Sequence, residues 1–440
     1  MVSMMGDLGM HTDQYELTML EAALQSGLAH QRVVFEVFSR SLRGYRYGVV
    51  AGTERALDAI QNFHIEDDDL KWLVDGGIIK TQTAKWLESY HFHGRVSAYR
   101  EGELYFPYSP ILTVEGTFAE AVLLETVVLS MMNFDTSVAG LAARIRAAAG
   151  EGKTLIEMAS RRTHEEAAVS VARSAYLAGF DATSNLLAGR RYGIPTTGTS
   201  AHAFTMGHVS EEEAFRAQVA ALGVGTTLLV DTYDVELGIE HAAAAGGFGL
   251  GAIRIDSGDL DAQARTARRE LDALGCSSAK IVLSGDLDEF QIASMMERGT
   301  PAQVFGVGTR LVTGAMSPGM VYKLVAVERD GVMTPVSKRS QGKATVGGRK
   351  TAFRTYRRGR IATEVLSLND GSELGEELQV VMLDDGQRLF QATLNESRQL
   401  LRERVKTLPD EAFELDNYIP VLEATMFNRE MARNALQVAA

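Results

Sequence analysis

The chain has 440 residues, more than the roughly 250 to 300 at which one hydrophobic core stops growing, so at least two structural units are expected. Its 45% hydrophobic and 23% charged residues make an ordinary globular composition, and a net charge of −13 disfavours nucleic-acid or anionic-membrane partners, which need local neutralisation by Lys and Arg. Cys276 is the only cysteine, which excludes an intrachain disulfide and a cysteine zinc cage and fits a reducing cytoplasm.

Residues 1–10 carry neither a basic residue nor a long apolar run, which argues against a secretory signal. A helix is expected to begin near Thr12-Asp13, followed by an alternating strand at 33–38, then helices and a second strand region around 94–117. Glu66-Asp67-Asp68-Asp69 precedes an apolar run and reads as a solvated helix cap. His91-Phe92-His93 would put two imidazoles on one strand face, but without a third ligand at metal-site spacing an edge strand is the better reading. His30, His64 and His241 offer no partner pattern. The most apolar stretch, 118–134, is interrupted by Glu120 and Glu125 and falls short of the roughly 20 residues that span a bilayer, so it reads as a core helix.

From Lys153 the chain alternates short apolar strands with amphipathic helices, the order that builds a parallel sheet with helices outside it. Strands are expected at 154–159, 182–184, 194–199, 226–232, 251–256, 279–284 and 302–307, with helices at 164–177, 235–245, 260–274 and 289–298 among them. Seven such units suggest a barrel. After about Lys323 the pattern becomes strands and turns, at 321–327, 331–335 and 360–366, and the stretch 395–440 begins as a helix that stops near Leu408-Pro409-Asp410. The chain therefore divides into 1–150, 151–323 and 324–440, the last expected to pack with the first.

Two glycine patterns carry no chemistry. Gly150-Glu151-Gly152-Lys153-Thr154 ends like a Walker A loop, but Ala147 stands where that motif needs glycine, and a helix precedes instead of a strand. Gly246-Gly247-Phe248-Gly249-Leu250-Gly251 lacks dinucleotide-binding spacing and reads as a helix stop and tight turn.

In a parallel barrel the active site lies at the C-terminal ends of the strands, which gives weight to the polar clusters found there. Arg161-Arg162 offers guanidinium groups for a carboxylate or phosphate, or is solvated surface. Asp181-Ala182-Thr183-Ser184-Asn185 leads into a helix that Ser184 could cap. In Gly198-Thr199-Ser200-Ala201-His202, small residues let backbone approach a ligand, and His202 can act as acid, base or nucleophile toward phosphorus. Arg254-Ile255-Asp256-Ser257-Gly258-Asp259 places Arg254 and Asp256 on one strand face, with Asp256 and Asp259 as candidate Mg²⁺ carboxylates. Ser284-Gly285-Asp286 repeats the theme, and Gly306-Val307-Gly308-Thr309 is a late glycine turn of the kind that binds phosphate through backbone N–H groups. Together these clusters point to a magnesium-assisted reaction on a phosphorylated ligand.

The segments Thr12-Asp13-Gln14-Tyr15-Glu16-Leu17-Thr18-Met19, Leu177-Ala178-Gly179-Phe180-Asp181-Ala182-Thr183-Ser184-Asn185, 198–202, 253–260 and 305–309, taken in order, resemble the nicotinate phosphoribosyltransferase family as far as about Lys323. Type I phosphoribosyltransferases differ: Asp286-Leu287-Asp288-Glu289 is not followed by their Thr-rich phosphate loop. The resemblance implies a type II enzyme of the α/β class: an irregular barrel of parallel strands plus a second α+β domain built from both chain ends, working as a homodimer with shared sites. The implied reaction joins nicotinate to 5-phosphoribosyl 1-diphosphate, with ATP as co-substrate and Mg²⁺ as cofactor. It gives nicotinate mononucleotide and diphosphate for NAD biosynthesis in the cytoplasm. His202 would be transiently phosphorylated by ATP in the pocket that later holds the phosphoribosyl substrate, and Asp256 would assist catalysis. Tyr15 would stack on the pyridine ring, Thr199 and Arg254 would bind nicotinate, and Thr309 the phosphoribosyl phosphate. Arg161, Asp181, Ser257, Gly258, Ser284, Gly285, Asp286, Gly306 and Gly308 complete the expected substrate-binding set. Competing readings are transfer to nicotinamide or quinolinate, and a nonenzymatic barrel that senses phosphosugars.

Overall fold

Antiparallel pairing in the outer parts of the chain gives way to parallel pairing in the middle. The structure is a computed structural model that describes residues 8–338, 345–368 and 374–427. It divides into two compact units, Met1–Ser137 with Met316–Ala440, and Val138–Ala315. The first division falls inside the helix Glu125–Ala149.

In the first unit a seven-stranded antiparallel sheet runs in the order Val332–Pro335, Val321–Arg329, Arg32–Phe38, Leu112–Thr117, Arg95–Tyr99, Gln379–Asp384, Gln387–Arg388. Early strands occupy the centre and late strands both flanks, so the two chain ends build one domain, as expected. A second sheet joins Glu376–Glu377, Thr351–Arg357, Arg360–Ser367 and Thr425–Met426. The alternation in Arg32–Phe38 does not separate core from solvent: every residue after Arg32 is buried. Glu36 tolerates this because its Oε2 lies 2.8 Å from Lys350 Nζ and its Oε1 accepts the Lys350 N–H.

Two expectations need correction here, and the C-terminal one holds. His91, Phe92 and His93 lie in a loop before Arg95–Tyr99, not on an edge strand. The apolar stretch at 118–134 belongs to a longer helical region, in which Glu125–Ala149 alone has 25 residues, enough by length and composition to cross a membrane. Its apolar side chains are nonetheless packed inside the protein, Val128, Met132, Ala139 and Ile145 among them, as in a core helix. The C-terminal stretch forms the helix Leu394–Val405, opened by a Thr393–Glu396 capping box, and its last part beyond residue 427 lies outside the described residues.

The second unit is a six-stranded parallel sheet. Its strands are β1 (Thr154–Glu157), β2 (Ala182–Thr183), β3 (Thr227–Leu229), β4 (Ala252–Ile255), β5 (Lys280–Leu283) and β6 (Val304–Val307), in the order β2-β1-β6-β5-β4-β3. The expected strand at 194–199 is reduced to a single bridge between Thr196 and Thr183. Pro195, which has no N–H, and Gly198 leave it little to pair with. The result is a half-barrel. Ile156, Ala252, Val282 and Val304 pack with Met158 on one face of the sheet. By strand alternation the next positions along that face are Arg254, Ser284 and Gly306, so the apolar floor of the half-barrel leads directly to polar groups at its C-terminal mouth. Gly150-Glu151-Gly152 is the turn between a helix and β1, and Lys153 Nζ caps the Ala302 carbonyl at 2.7 Å, a structural duty.

Candidate active site

Asp231, two residues beyond β3, organises the mouth. Its side chain is only 1% exposed, and its Oδ2 accepts the Asp256 N–H at 2.9 Å and the Ser257 hydroxyl at 2.7 Å. A carboxylate already accepting two donors on one oxygen also acts as acceptor on the other, so the 3.1 Å contact between Asp231 Oδ1 and His202 Nε2 places the imidazole proton on Nε2. Nδ1 then carries the lone pair, and no hydrogen bond engages it among the described residues. His202 opens the short helix His202–Met206, and its side chain is 39% exposed.

Arg254 is the penultimate residue of β4 and connects three neighbouring loops. Its Nε donates to Ser284 Oγ at 2.7 Å, its Nη2 to Asp256 Oδ1 at 2.7 Å and its Nη1 to Thr199 Oγ1 at 3.3 Å. Ser284 also donates to Asp256 Oδ1. Burial would push the Asp256 carboxyl up, but the hydrogen bonds from Ser284 and Arg254, with the charge of Arg254, outweigh it and hold the group below the ordinary carboxylate range. The site therefore keeps a fixed anion beside a fixed cation, with the weakest arm of the guanidinium pointing at Thr199.

Backbone geometry brings the loops together. Gly285 has φ of 120°, and a Cβ there would lie 2.4 Å from the Asp256 carbonyl oxygen. Asp286 follows at φ of 52°, in the left-handed region that non-glycine residues rarely adopt, and accepts the Thr309 hydroxyl at 2.7 Å. After β6, a Cβ on Gly308 would approach the Met158 carbonyl oxygen to 2.8 Å. Next to it Arg310 lies 3.4 Å from Asp288, while its buried Nε has no partner. An N–H left unpaired beside a glycine turn suits an anion.

The structure thus gathers His202, Thr199, Arg254, Asp256, Ser257 and Ser284 into one hydrogen-bonded group, and joins Asp286 to Thr309 beside Gly285, Gly306 and Gly308. Gly258 and Asp259 continue from Ser257, but Asp259 caps the helix Leu260–Ala273 through the Ala262 N–H at 3.1 Å. Arg161 is exposed in the loop after β1. Asp181 stands apart, at the N-terminal end of β2, where its Oδ2 accepts the Leu155 N–H at 2.9 Å and pairs with Arg146 at 3.1 Å. In the same segment Asn185, not Ser184, caps the helix Leu186–Tyr192. Tyr15 belongs to the first unit, on the helix Gln14–Ser26.

Asp231 was the residue sequence reasoning missed, although the end of the strand expected at 226–232 contains it. A carboxylate at a barrel strand's C-terminal end was the available signal. His241, which showed no partner pattern in sequence, pairs with the buried Glu211 at 3.1 Å. Among the described residues no group of three His, Cys, Asp or Glu is arranged to hold a metal ion.

Residues 10–133 match the nicotinate phosphoribosyltransferase N-terminal domain, and residues 154–370 match the nicotinate phosphoribosyltransferase family. The chain is 52% identical over 423 residues to a nicotinate phosphoribosyltransferase of Mycobacterium tuberculosis, covering 92% of both proteins. It is 39% identical over 359 residues to that of Bacillus subtilis, covering 79% of this chain and 73% of the relative. The fold superposes on the crystal structure of human nicotinic acid phosphoribosyltransferase with a TM-score of 0.82 at 26% identity, covering 97% of this chain and 99% of the human one. With this identity over nearly its whole length, and the same fold, the chain belongs to the nicotinate phosphoribosyltransferase family.

Proposed function

We propose that the protein transfers the phosphoribosyl group of 5-phosphoribosyl 1-diphosphate to nicotinate, coupled to ATP through a phosphohistidine at His202. The observation that carries this reading is the imidazole itself: Asp231 fixes the proton on Nε2 and leaves Nδ1 unengaged at the mouth of the half-barrel. Nδ1 would attack the γ-phosphorus of ATP, forming the P–N bond as the bond to the ADP oxygen breaks, and the phosphoryl group would later pass to water. Asp231 stabilises the imidazolium character that develops.

In the transfer step the ring nitrogen of nicotinate supplies the electron pair for the new bond to the anomeric carbon, and the bond to diphosphate breaks. Arg254 recognises the nicotinate carboxylate: its Nη1, held only by the 3.3 Å bond to Thr199, is the arm most readily given over. Asp256, Ser284 and Thr199 fix the guanidinium plane. The turn at Gly306 and Gly308, with Thr309 and the unpaired Nε of Arg310, suits the 5-phosphate. Tyr15 is assigned the aromatic face for the pyridine ring, in keeping with shared sites in a homodimer.

Mg²⁺ keeps several waters and is commonly held by one or two carboxylates plus substrate phosphates, so Asp256, kept ionised, and Asp259, whose Oδ2 is not engaged in the cap, fit an ion arriving on the diphosphate. Bound there, it would supply charge neutralisation for the leaving group.

The test is to incubate the protein with Mg²⁺, 5-phosphoribosyl 1-diphosphate and nicotinate, nicotinamide or quinolinate, with and without ATP, and to identify the mononucleotide. Nicotinate mononucleotide is expected, faster with ATP; its absence under every condition overturns the reading. ATP should leave acid-labile phosphate on the wild type and none on His202→Ala.

A further inference from the structure

The helix Gln14–Ser26 presents two faces. Glu16, Leu17, Leu20 and Ala23 form its buried stripe, while Tyr15, one position earlier, is 45% exposed. A glutamate at the head of an apolar stripe needs partners, and Glu16, fully buried, has two that make three hydrogen bonds. Its Oε2 accepts the Thr12 hydroxyl at 2.6 Å, and its Oε1 accepts both the Thr126 N–H at 2.8 Å and the Thr126 hydroxyl. The Thr126 N–H is in the first turn of the helix Glu125–Ala149, where backbone donors lack intrahelical acceptors. Glu16 therefore caps a second helix in trans, through the N–H and hydroxyl of Thr126. The residue before Thr126, Glu125, lies 3.3 Å from Lys323 Nζ, and its carboxylate, after burial, helps push the Tyr15 phenol up to about 12.

The first turn that carries the aromatic side chain is thus tied to a second helix start. The backbone that carries Tyr15 is fixed through Glu16 and Thr126. Asp13, at the N-cap of the tyrosine helix, makes no side-chain cap bond, so the carboxylate of Glu16 is the polar anchor of this first turn. An anchored ring loses less rotational freedom when a flat ligand stacks on it.

We propose that Glu16 is a positioning residue for Tyr15: by tying the first turn of the tyrosine helix to the start of the helix Glu125–Ala149, it holds the aromatic ring in the orientation that receives the pyridine acid. The proposal rests on the assignment of Tyr15 to the nicotinate ring. Gln at this position preserves the tether, since its carbonyl can accept from Thr126 and its amide can donate to the Thr12 hydroxyl. Ala removes it.

The experiment is steady-state kinetics of the full-length chain with nicotinate varied at saturating 5-phosphoribosyl 1-diphosphate and ATP, for wild type, Tyr15→Ala, Glu16→Ala, Glu16→Gln and the Tyr15→Ala/Glu16→Ala double variant. Glu16→Ala should raise the KM for nicotinate about tenfold, the range of an aromatic stacking contact, with kcat within about threefold. Glu16→Gln should stay within about threefold of wild type, and the double variant should be no worse than Tyr15→Ala alone. If Tyr15→Ala raises KM and Glu16→Ala does not, the proposal falls while the assignment of Tyr15 stands. If Tyr15→Ala leaves KM unchanged, that assignment falls and takes the proposal with it. Additive effects in the double variant, or a Gln variant as impaired as the Ala one, also overturn it. Should Glu16→Ala fail to fold, Thr126→Val removes one hydroxyl donor and keeps the backbone; an unchanged nicotinate KM there counts against the tether.

Discussion

Two arginines in this protein sit among carboxylates and hydroxyls, one in each unit, and they differ in what their partners have left over. Arg354 is fully buried, donating to Glu103, to the Leu104 carbonyl at 2.7 Å and to Glu364 at 2.8 Å. The remaining carboxylate valences are taken by Tyr99, Ser109, the Leu104 N–H and Arg404. Arg254 has a comparable set in Asp256, Ser284 and Thr199, but Asp256 keeps 30% of its side chain exposed and its Oδ2 without a hydrogen bond among the described residues. In the first network every carboxylate oxygen is taken by a protein donor, only the Arg354 Nε being left over, and it acts as scaffold. The second is fixed on one side and open on the other, which is what a binding site requires.

The largest effect expected from breaking this contrast lies in the open network. In Asp231→Asn the amide oxygen would stay with the Asp256 N–H and the Ser257 hydroxyl, turning an NH₂ toward His202 and moving the imidazole proton to Nδ1. A side chain that misplaces the tautomer without changing shape costs on the order of 10²- to 10⁴-fold, so labelling of His202 by ATP should fall by that much while the melting temperature barely moves. Undiminished labelling would mean that Asp231 does not set the tautomer. Arg354→Ala should behave in the opposite way. Leaving Glu364 buried without its cation, and Glu103 with Arg404 alone, costs about 3 to 5 kcal/mol, measured as a lower urea midpoint, while turnover of the folded fraction changes little. Lost turnover at unchanged stability would place Arg354 in the functional machinery.

Legibility in sequence followed chain locality. The Arg254 and Asp256 pair could be placed on one face because strand alternation is a local rule, and His202, Ser284 and Thr309 could be placed at strand ends for the same reason. Asp231 joins His202 across 29 positions and shows no motif of its own, so only the folded sheet reveals the contact. Asp181 misled because a polar residue beside a two-residue strand can stand at either end of it, and here it stands at the N-terminal one. The strand expected at 194–199 failed because a β-branched run, Ile194 with Thr196, Thr197 and Thr199, reads as a strand while Pro195 and Gly198 leave it a single bridge. The long helix was underestimated because the reading stopped at Phe134 while an alanine-rich continuation carried it to Ala149.

A smaller effect should come from the backbone that holds the open network together. Gly285→Ala would force a Cβ against the Asp256 carbonyl oxygen at a φ that alanine disfavours. The local strain, about 1 to 3 kcal/mol, can be relieved only by moving the Asp256 or Ser284 loop. Stability should drop by that amount and the KM for 5-phosphoribosyl 1-diphosphate should rise. A variant with unchanged kinetics would show that the mouth tolerates more movement than its hydrogen bonds imply.

The smallest effect concerns two carboxylates shifted in opposite directions, one half-buried and one fully buried. Asp256 is held down by a guanidinium and a hydroxyl, whereas Glu16 receives hydrogen bonds only from neutral donors. Burial, reinforced by the nearby Glu125, pushes Glu16 up to about 7 despite the bonds from Thr12 and Thr126. Between the ordinary glutamate range near pH 4.5 and pH about 7, the native state therefore holds a proton that the unfolded chain has released, so stability falls as pH rises through that window and is level above it. Glu16→Gln removes this dependence. The variant should match wild type at pH 5 and exceed it by about 1 to 3 kcal/mol at pH 8, read from urea midpoints at the two pH values. Equal stability at pH 8 would show that the three hydrogen bonds to Glu16 fully offset its burial, which would place it with Asp256 among the carboxylates kept ionised.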